Sequence, residues 1–489
     1  MTGEERPLRL DAPREEALAR AAELIAQAWR SFDRFRPEEP PLDERVLALL
    51  KAELPEEPSP VHEVLDDAGR ILDESIAQPR PRYFAFIGSS GLEIGAIGDA
   101  LASCYDINLA VYAAAATEIE KQAVRWVAEF VGYPATAGGA FTSGGTISNL
   151  TALAAARTRA LPGSRAEGMG GVRAAVYCSR EVHYSVIRAV ELLGMGSRQV
   201  RALPIDERRR LLPEAVAEAI DRDRAEGVVP VAVVATAGTT LTGAIDPIAP
   251  LADVCEERGV WLHVDGAYGL PAAAVPSHAH LFAGVERADS VSVDAHKWLY
   301  VPKACGVVLV RRPEDLIAAF SHEQGYLPHQ QHELHAVDIT LEYSRPFRAL
   351  KCWLAFRAHG APQFRAAIER NLAEARLLYD RLQGEPDMET LGPPPQLSIV
   401  PFRHVPEGVR DVNDHNWRLA KALQADGRVY LASALIDGEV YLRPCFVNFR
   451  TTEQDVLALV DITREVGMRV LAEGGGGAVS RGRHPGGAG

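Results

Sequence analysis

The chain has 489 residues, and its 52 lysines and arginines stand against 66 aspartates and glutamates, a formal charge of −14. This length can bury a large core without disulfide or metal staples, and 47 % hydrophobic with 24 % charged residues is the make-up of a globular chain. The acidic balance argues against a basic, phosphate-tracking surface for nucleic acid and against attraction to an anionic membrane.

The opening MTGEERPLRLDAPREE is charged and lacks an apolar core, so no secretion signal is expected. No run approaches the roughly 18 apolar residues of a membrane span. REEALARAAELIAQAWRSF and, beyond the Pro-rich EEPPLD, DERVLALLKAEL carry apolar residues at helical spacing. Two amphipathic helices cannot close a core alone. Residues 1–75 are therefore expected to form a helical arm that packs on the rest of the chain or on a second subunit.

From about residue 80 to 312 short β-rich runs alternate with helical stretches. The runs are AAVYCS (174–179), VVPVAVVATAG (228–238), VWLHVDGAYG (260–269), SVSVDAH (290–296) and CGVVLVRR (305–312). SVIRAVELLG, LPEAVAEAIDRDRAEG and IAPLADVCEERG lie between the first four. The pattern predicts an α/β fold with a mainly parallel sheet covered on both faces. HKWLYVPKA is too short for a crossover helix, so the last run is expected to be antiparallel. A helical stretch over 346–385 leads to LSIVPFRH, RVYLASALIDGEVYLRPCFVN and TTEQDVLALVDITREV, read as strands and a closing helix of a small α+β domain. The Gly-rich end has no apolar face and is expected to be disordered. The expected division is thus an arm over 1–75, a large domain over 76–360, a small domain over 361–472 and a tail over 473–489. Cys104, Cys178, Cys255, Cys305, Cys352 and Cys445 form no C-x-x-C pair, which predicts dispersed thiols in a reducing cytoplasm.

Ligands of such sheets gather at the carboxyl ends of the strands, and four unusual groups fall there. FTSGGTISN (141–149) precedes a helical run; it reads either as a plain N-cap turn or as an anion cradle of small residues, hydroxyls and helix N-terminal amides. Asp265, ending an apolar strand, either caps the next turn or holds a cationic ligand atom. Lys297, between His296 and Trp298, is an ion-pair partner or an amine nucleophile. His183 follows AAVYCS and is a helix cap or a catalytic imidazole. The aspartate precedes the lysine by 297 − 265 = 32 residues, about one β-α-β unit. Together these are the parts needed to hold pyridoxal 5'-phosphate: an anion cradle, an aspartate for the pyridine nitrogen and a lysine for a Schiff base.

HVDGAYG, DAHKWL, SGGTISNLTAL, TAGTTLTGAIDPI, RPFRALKCW and YLRPCFVNFRTT resemble the group II pyridoxal-phosphate decarboxylases, which include aromatic-L-amino-acid, tyrosine, histidine and glutamate decarboxylases. The resemblance runs from about residue 20 to 465. It implies a type I aminotransferase-like fold with a seven-stranded sheet, working as a homodimer with sites at the subunit interface. By the same resemblance Lys297 carries the cofactor, Asp265 pairs with the pyridinium, Ala267 packs by the ring and His183 stacks on it. Gly144, Gly145, Thr146, Asp294 and His296 match the phosphate-binding positions, and Thr240 matches a cofactor-side threonine. Phe84, Ser89 and Tyr112 are the expected substrate-pocket residues, their aromatic groups suiting a bulky or aromatic side chain.

The implied reaction is decarboxylation of an L-amino acid to CO2 and an amine. One family feature is missing. The segment 326–338, YLPHQQHELHAVD, has no tyrosine where relatives carry the one that protonates the decarboxylated carbon; His335 stands near that place and its imidazole suits the task. Pro346 also stands where a second arginine is common. Relatives without the tyrosine can let dioxygen react instead, giving an aldehyde, ammonia and hydrogen peroxide, so this outcome stands as the second expectation. An aminotransferase and a non-catalytic scaffold are minor alternatives. No metal site is expected.

Overall fold

The structure is a computed structural model that describes residues 10, 13–33, 42–322 and 335–474. The Gly-rich tail, for which disorder is expected, lies outside the described residues from 475 onward, as do residues 326–334.

Seven strands form the large sheet: β1 (Gly138–Thr142), β2 (Ala174–Ser179), β3 (Val200–Leu203), β4 (Val229–Thr236), β5 (Trp261–Asp265), β6 (Ser290–Asp294) and β7 (Gly306–Val310), in the order β1-β7-β6-β5-β4-β2-β3. The pairs β2·β3, β2·β4, β4·β5 and β5·β6 are parallel. β7 runs antiparallel between β6 and β1, as the short HKWLYVPKA connection requires. β2, β5, β6 and β7 are buried along their whole length, the consequence of Val- and Ala-rich runs covered by helices on both faces. Every β-rich run of the central region is a strand. β1 and β3 are two strands that the apolar pattern did not signal; one is rich in glycine, the other is a four-residue edge.

Four shorter strands, β8 (Met388–Thr390), β9 (Phe402–His404), β10 (Ser433–Ile436) and β11 (Glu439–Leu442), make a second, antiparallel sheet in the order β10-β11-β9-β8. Asp437 and Gly438 join β10 to β11, both with positive φ, the conformation a tight hairpin needs. The helix Ala349–Gln383 links the two sheets and bends at Gly360, where φ is 68° and Pro362 follows. It also packs on the helix Glu93–Tyr105 and on the closing helix Glu453–Gly474.

The N-terminal part contains the helices Arg14–Phe32, Glu44–Leu50 and Val61–Asp73, one more than periodicity signalled. The first and third contain no buried residue. Leu18 and Leu72 are 71 % and 70 % exposed. Among the described residues no helix is long and apolar enough to cross a membrane.

Candidate active site

The parallel register brings the ends of β2, β4, β5 and β6 to one edge of the large sheet, and β1, antiparallel to β7, ends at the same edge. A cavity of about 310 Å³ opens there. Each strand end supplies part of its wall: Ser143 to Ile147 after β1, His183 and Ser185 after β2, Thr236 and Thr240 at and after β4, Asp265 and Ala267 at β5, Asp294 and Lys297 at β6. The sheet thus joins residues that are up to 154 positions apart in the chain (297 − 143 = 154).

Lys297 sits in a single turn, Ala295–Trp298, directly after β6. Its Nζ is 3.0 Å from Asp294 Oδ2. The next residue anchors the turn: Trp298 stacks on Tyr268 with ring centroids 5.2 Å apart, and its indole N–H donates to Asn371 Oδ1 at 3.1 Å. The long helix therefore holds the lysine's base in place. Asp294, expected beside a phosphate, lines the cavity and forms an ion pair with Lys297.

Asp265 is 6 % exposed. It accepts hydrogen bonds from Asn149 Nδ2 at 2.8 Å, from Ser292 Oγ at 3.1 Å and from the Ala267 amide at 3.2 Å. Burial works against its charge, but the His263 and Lys297 side chains, the Asn149 amide and the Ala267 N–H outweigh it, so the carboxyl is held below its ordinary value. His183 caps the helix Tyr184–Leu192, its Nδ1 accepting from the Ser185 amide. Burial lowers its pKa, which favours neutral imidazole. His296 is buried beside the cavity and its pKa is likewise lowered by burial.

The anion cradle is made by what is missing. A Cβ on Gly145 would lie 3.0 Å from both Ala267 Cβ and Asp294 Oδ2. A Cβ on Gly306, opposite Thr142 in the β1·β7 register, would come within 2.6 Å of Gly144 Cα. Gly145 begins the 16-residue helix Gly145–Ala160, whose first amides point at the cavity with nothing in the helix to accept them. Two buried oxygens of the cavity wall, Thr236 Oγ1 and Asp294 Oδ1, have no hydrogen-bond partner. Polar atoms of this kind call for a ligand. An amine, an anionic partner for a ring nitrogen and an amide-rich cradle fit pyridoxal phosphate.

The expected cofactor residues Gly144, Gly145, Thr146, His183, Thr240, Asp265, Ala267, Asp294, His296 and Lys297 all line this one cavity. The expected substrate residues do not. Phe84 is 1 % exposed and packs on Phe446, ring centroids 5.3 Å apart, in the core beneath the small sheet; its aromatic character serves packing. Ser89 is buried and its hydroxyl donates to the Val301 carbonyl at 3.1 Å. Tyr112 is 46 % exposed, and its amide donates to His335 Nδ1 at 3.1 Å. Ser89, Tyr112 and His335 are absent from the cavity wall that one chain builds.

Sequence reasoning passed over Asn149, Ser185, Thr236, Tyr268 and the buried His263. One signal was present: His263 and Asp265 are two residues apart on a strand and so share a face. Arg345 was also passed over. It is buried, reaches Glu120 Oε2 at 2.5 Å and the Phe141 carbonyl at 3.1 Å, and so ties its own segment to the end of β1.

Three comparisons with known proteins agree with this geometry. The pyridoxal-dependent decarboxylase conserved domain matches residues 41–405. An aromatic-L-amino-acid decarboxylase of Bacillus atrophaeus is 34 % identical over 421 residues, covering 84 % of this chain and 86 % of that protein. A phenylacetaldehyde synthase of Arabidopsis thaliana is 28 % identical over 424 residues, covering 83 % and 86 %. The solved structure of TDC from Oryza sativa with PLP and tryptamine superposes with a TM-score of 0.88 at 26 % identity, covering 96 % of this chain and 100 % of that one. The chain belongs to the pyridoxal-dependent decarboxylase family, and pyridoxal phosphate is its cofactor.

Proposed function

We propose that this member of the family removes CO2 from an L-amino acid with an aromatic or bulky side chain and releases the amine, as a cytoplasmic homodimer. One observation carries the reading: Lys297, 3.0 Å from Asp294, shares a single cavity with an Asp265 carboxylate held as an anion by three donors.

Pyridoxal phosphate supplies an aldehyde that condenses with amines and a ring that accepts the electron pair left when the Cα–carboxylate bond breaks. In the proposed roles, Lys297 offers its amine at the cavity floor, with Asp294 as counter-ion. Asp265 would keep a proton on the ring nitrogen, because a neighbouring carboxylate favours the charged pyridinium. Gly144, Gly145 and Thr146, at the head of their helix, receive the phosphate, with His296 beside them. Thr240 lines the cofactor side. Neutral His183 would pack beside the cofactor and orient the substrate carboxylate through Nε2–H.

Ser89, Tyr112 and His335 enter the reading through the dimer. The exposed apolar residues of the arm, Leu18 and Leu72 among them, give a second copy a surface to cover, and a paired copy can bring Tyr112 and His335 to the other cavity. His335 then protonates the carbon from which CO2 has left. Six free cysteines support a reducing compartment.

A second product outcome is kept because His335 stands in place of the expected tyrosine and because the relatives include both a decarboxylase and an aldehyde synthase. In that reading dioxygen intercepts the reaction and the products are an aldehyde, ammonia and hydrogen peroxide. A panel of aromatic and aliphatic amino acids, read for CO2, amine, ammonia and peroxide with and without oxygen, separates the two. Amine formed at full rate under strict anaerobiosis supports the first. Oxygen uptake matching CO2 release supports the second, and no CO2 from any of them rejects both.

A further inference from the structure

Beneath the cavity lies a chain of buried hydrogen bonds whose direction leaves no choice. An ionised carboxylate only accepts, so the Asn149 atom 2.8 Å from Asp265 Oδ2 is its amide nitrogen. Asn149 Oδ1 therefore faces His263 Nε2 at 3.0 Å, and that nitrogen must carry the proton. Burial pushes the His263 imidazole down to about 4, so the ring is neutral near pH 7 and its Nδ1 accepts. Its donor is the Ser290 hydroxyl at 2.8 Å, which in turn accepts from the Trp261 indole N–H at 2.8 Å.

On the cavity side, the second Asn149 N–H donates to Ser185 Oγ at 3.0 Å. The Ser185 hydroxyl lies 2.8 Å from His183 Nδ1, and the Ser185 amide, which can only donate, is 3.3 Å from the same atom. His183 Nδ1 is thus an acceptor, and its proton sits on Nε2. All links between Trp261 and Ser185 are at most 1 % exposed. Water cannot substitute for a missing link, and bonds aligned in one direction polarise one another.

We infer that Asn149 and His263 are positioning residues: through one directional relay they hold Asp265 as an anion toward the cofactor's ring nitrogen and hold His183 in its Nε2–H form toward the substrate. The relay branches at Asn149, so a single amide sets the charge of one group and the tautomer of the other. Fold and register supply the parts. His263 pairs with Ser290 across β5·β6, and Asn149 stands one turn into the helix that covers this face. His263 lies off the cavity wall and Asn149 reaches it beside Asp265; each acts through Asp265 or His183. The inference rests on the roles proposed for those two residues.

A neutron crystal structure of the deuterated holoenzyme reads the relay directly. Deuterium on Nε2 of both His183 and His263 is the expected result, and deuterium on Nδ1 of His263 overturns the inference whether or not the enzyme decarboxylates. Variants supply the energetic arm. His263→Leu removes the donor to Asn149, while His263→Gln can restore one. His263→Leu is expected to weaken pyridoxal phosphate binding by about tenfold, the size of losing a partner that orients a ligand-holding group. It is also expected to move the 15N resonance of the cofactor's ring nitrogen toward the unprotonated value, and His263→Gln is expected to recover most of both. Wild-type affinity and 15N shift in His263→Leu overturn the inference. If that variant does not fold, the deuterium positions in the unaltered protein decide alone. Normal deuterium positions with no CO2 release reject the proposed function and leave the relay standing.

Discussion

The floor of the Lys297 cavity and the segment that carries His335 are built on opposite terms. Asp265, Asn149 and His263 are at most 6 % exposed, lie on a central strand or its covering helix, and have every polar atom engaged. His335 heads a three-residue turn, Ala336–Asp338, and its imidazole accepts from the backbone amides of Tyr112 and of its own turn. Groups that must keep one geometry are mounted on strands. The group proposed to decide the product sits on a turn away from the cavity wall of its own chain.

Substitutions can break or sharpen this contrast. Lys297→Ala should have the largest effect: no absorbance band from covalently bound cofactor and no CO2 release from any substrate. Asp265→Asn keeps the shape and removes the charge. Its kcat should fall on the order of 10²–10³-fold, the cost of one preorganised electrostatic partner, while circular dichroism stays unchanged. His335→Phe tests the other region. If His335 delivers the proton, amine formation should drop by about 10²-fold, with aldehyde and peroxide rising in its place. An unchanged amine rate would remove His335 from that step.

Smaller effects test what surrounds the two regions. Leu18→Asp combined with Leu72→Asp should shift the sedimentation of the enzyme from dimer toward monomer and lower activity in parallel. A dimer that survives would mean that the arm is not its main contact. Acid should loosen the floor before the surface. His263 titrates at about 4 in the folded chain, against roughly 6.5 when unfolded, so the unfolded chain takes up the proton first as pH falls. Stability that is complete above about pH 6.5 is then lost on the way down to about 4, on the order of 3 kcal/mol for this group. Urea midpoints across that range should fall, and should fall less in His263→Gln.

Much of the large domain was readable because its physics is local. Continuous apolar runs mark strands buried on both faces, and small polar or charged residues at their ends stand out against them. HVD and SVSVD each end on a cavity residue, Asp265 and Asp294, and AAVYCS ends shortly before His183. β1 escaped because GGAFT looks like a loop: its glycines serve the close approach to β7 and the cradle, at the expense of any apolar signal. Phe84 shows the opposite error. Aromatic residues suit both pockets and cores, and the Phe446 ring beside it decides for the core.

By itself, then, the sequence determined the fold class, the cofactor and ten residues that share one cavity, because strand ends and small-residue turns write their chemistry into short stretches of chain. Tertiary structure alone decided three things: that Asp294 pairs with Lys297, that Asn149 and His263 are linked by hydrogen bonds to Asp265, and that Ser89, Tyr112 and His335 are not in the cavity wall of a single chain. Each is a relation between side chains far apart in sequence or on different elements. Hydrogen-bond direction, burial and distance exist only once the sheet has set its strands side by side.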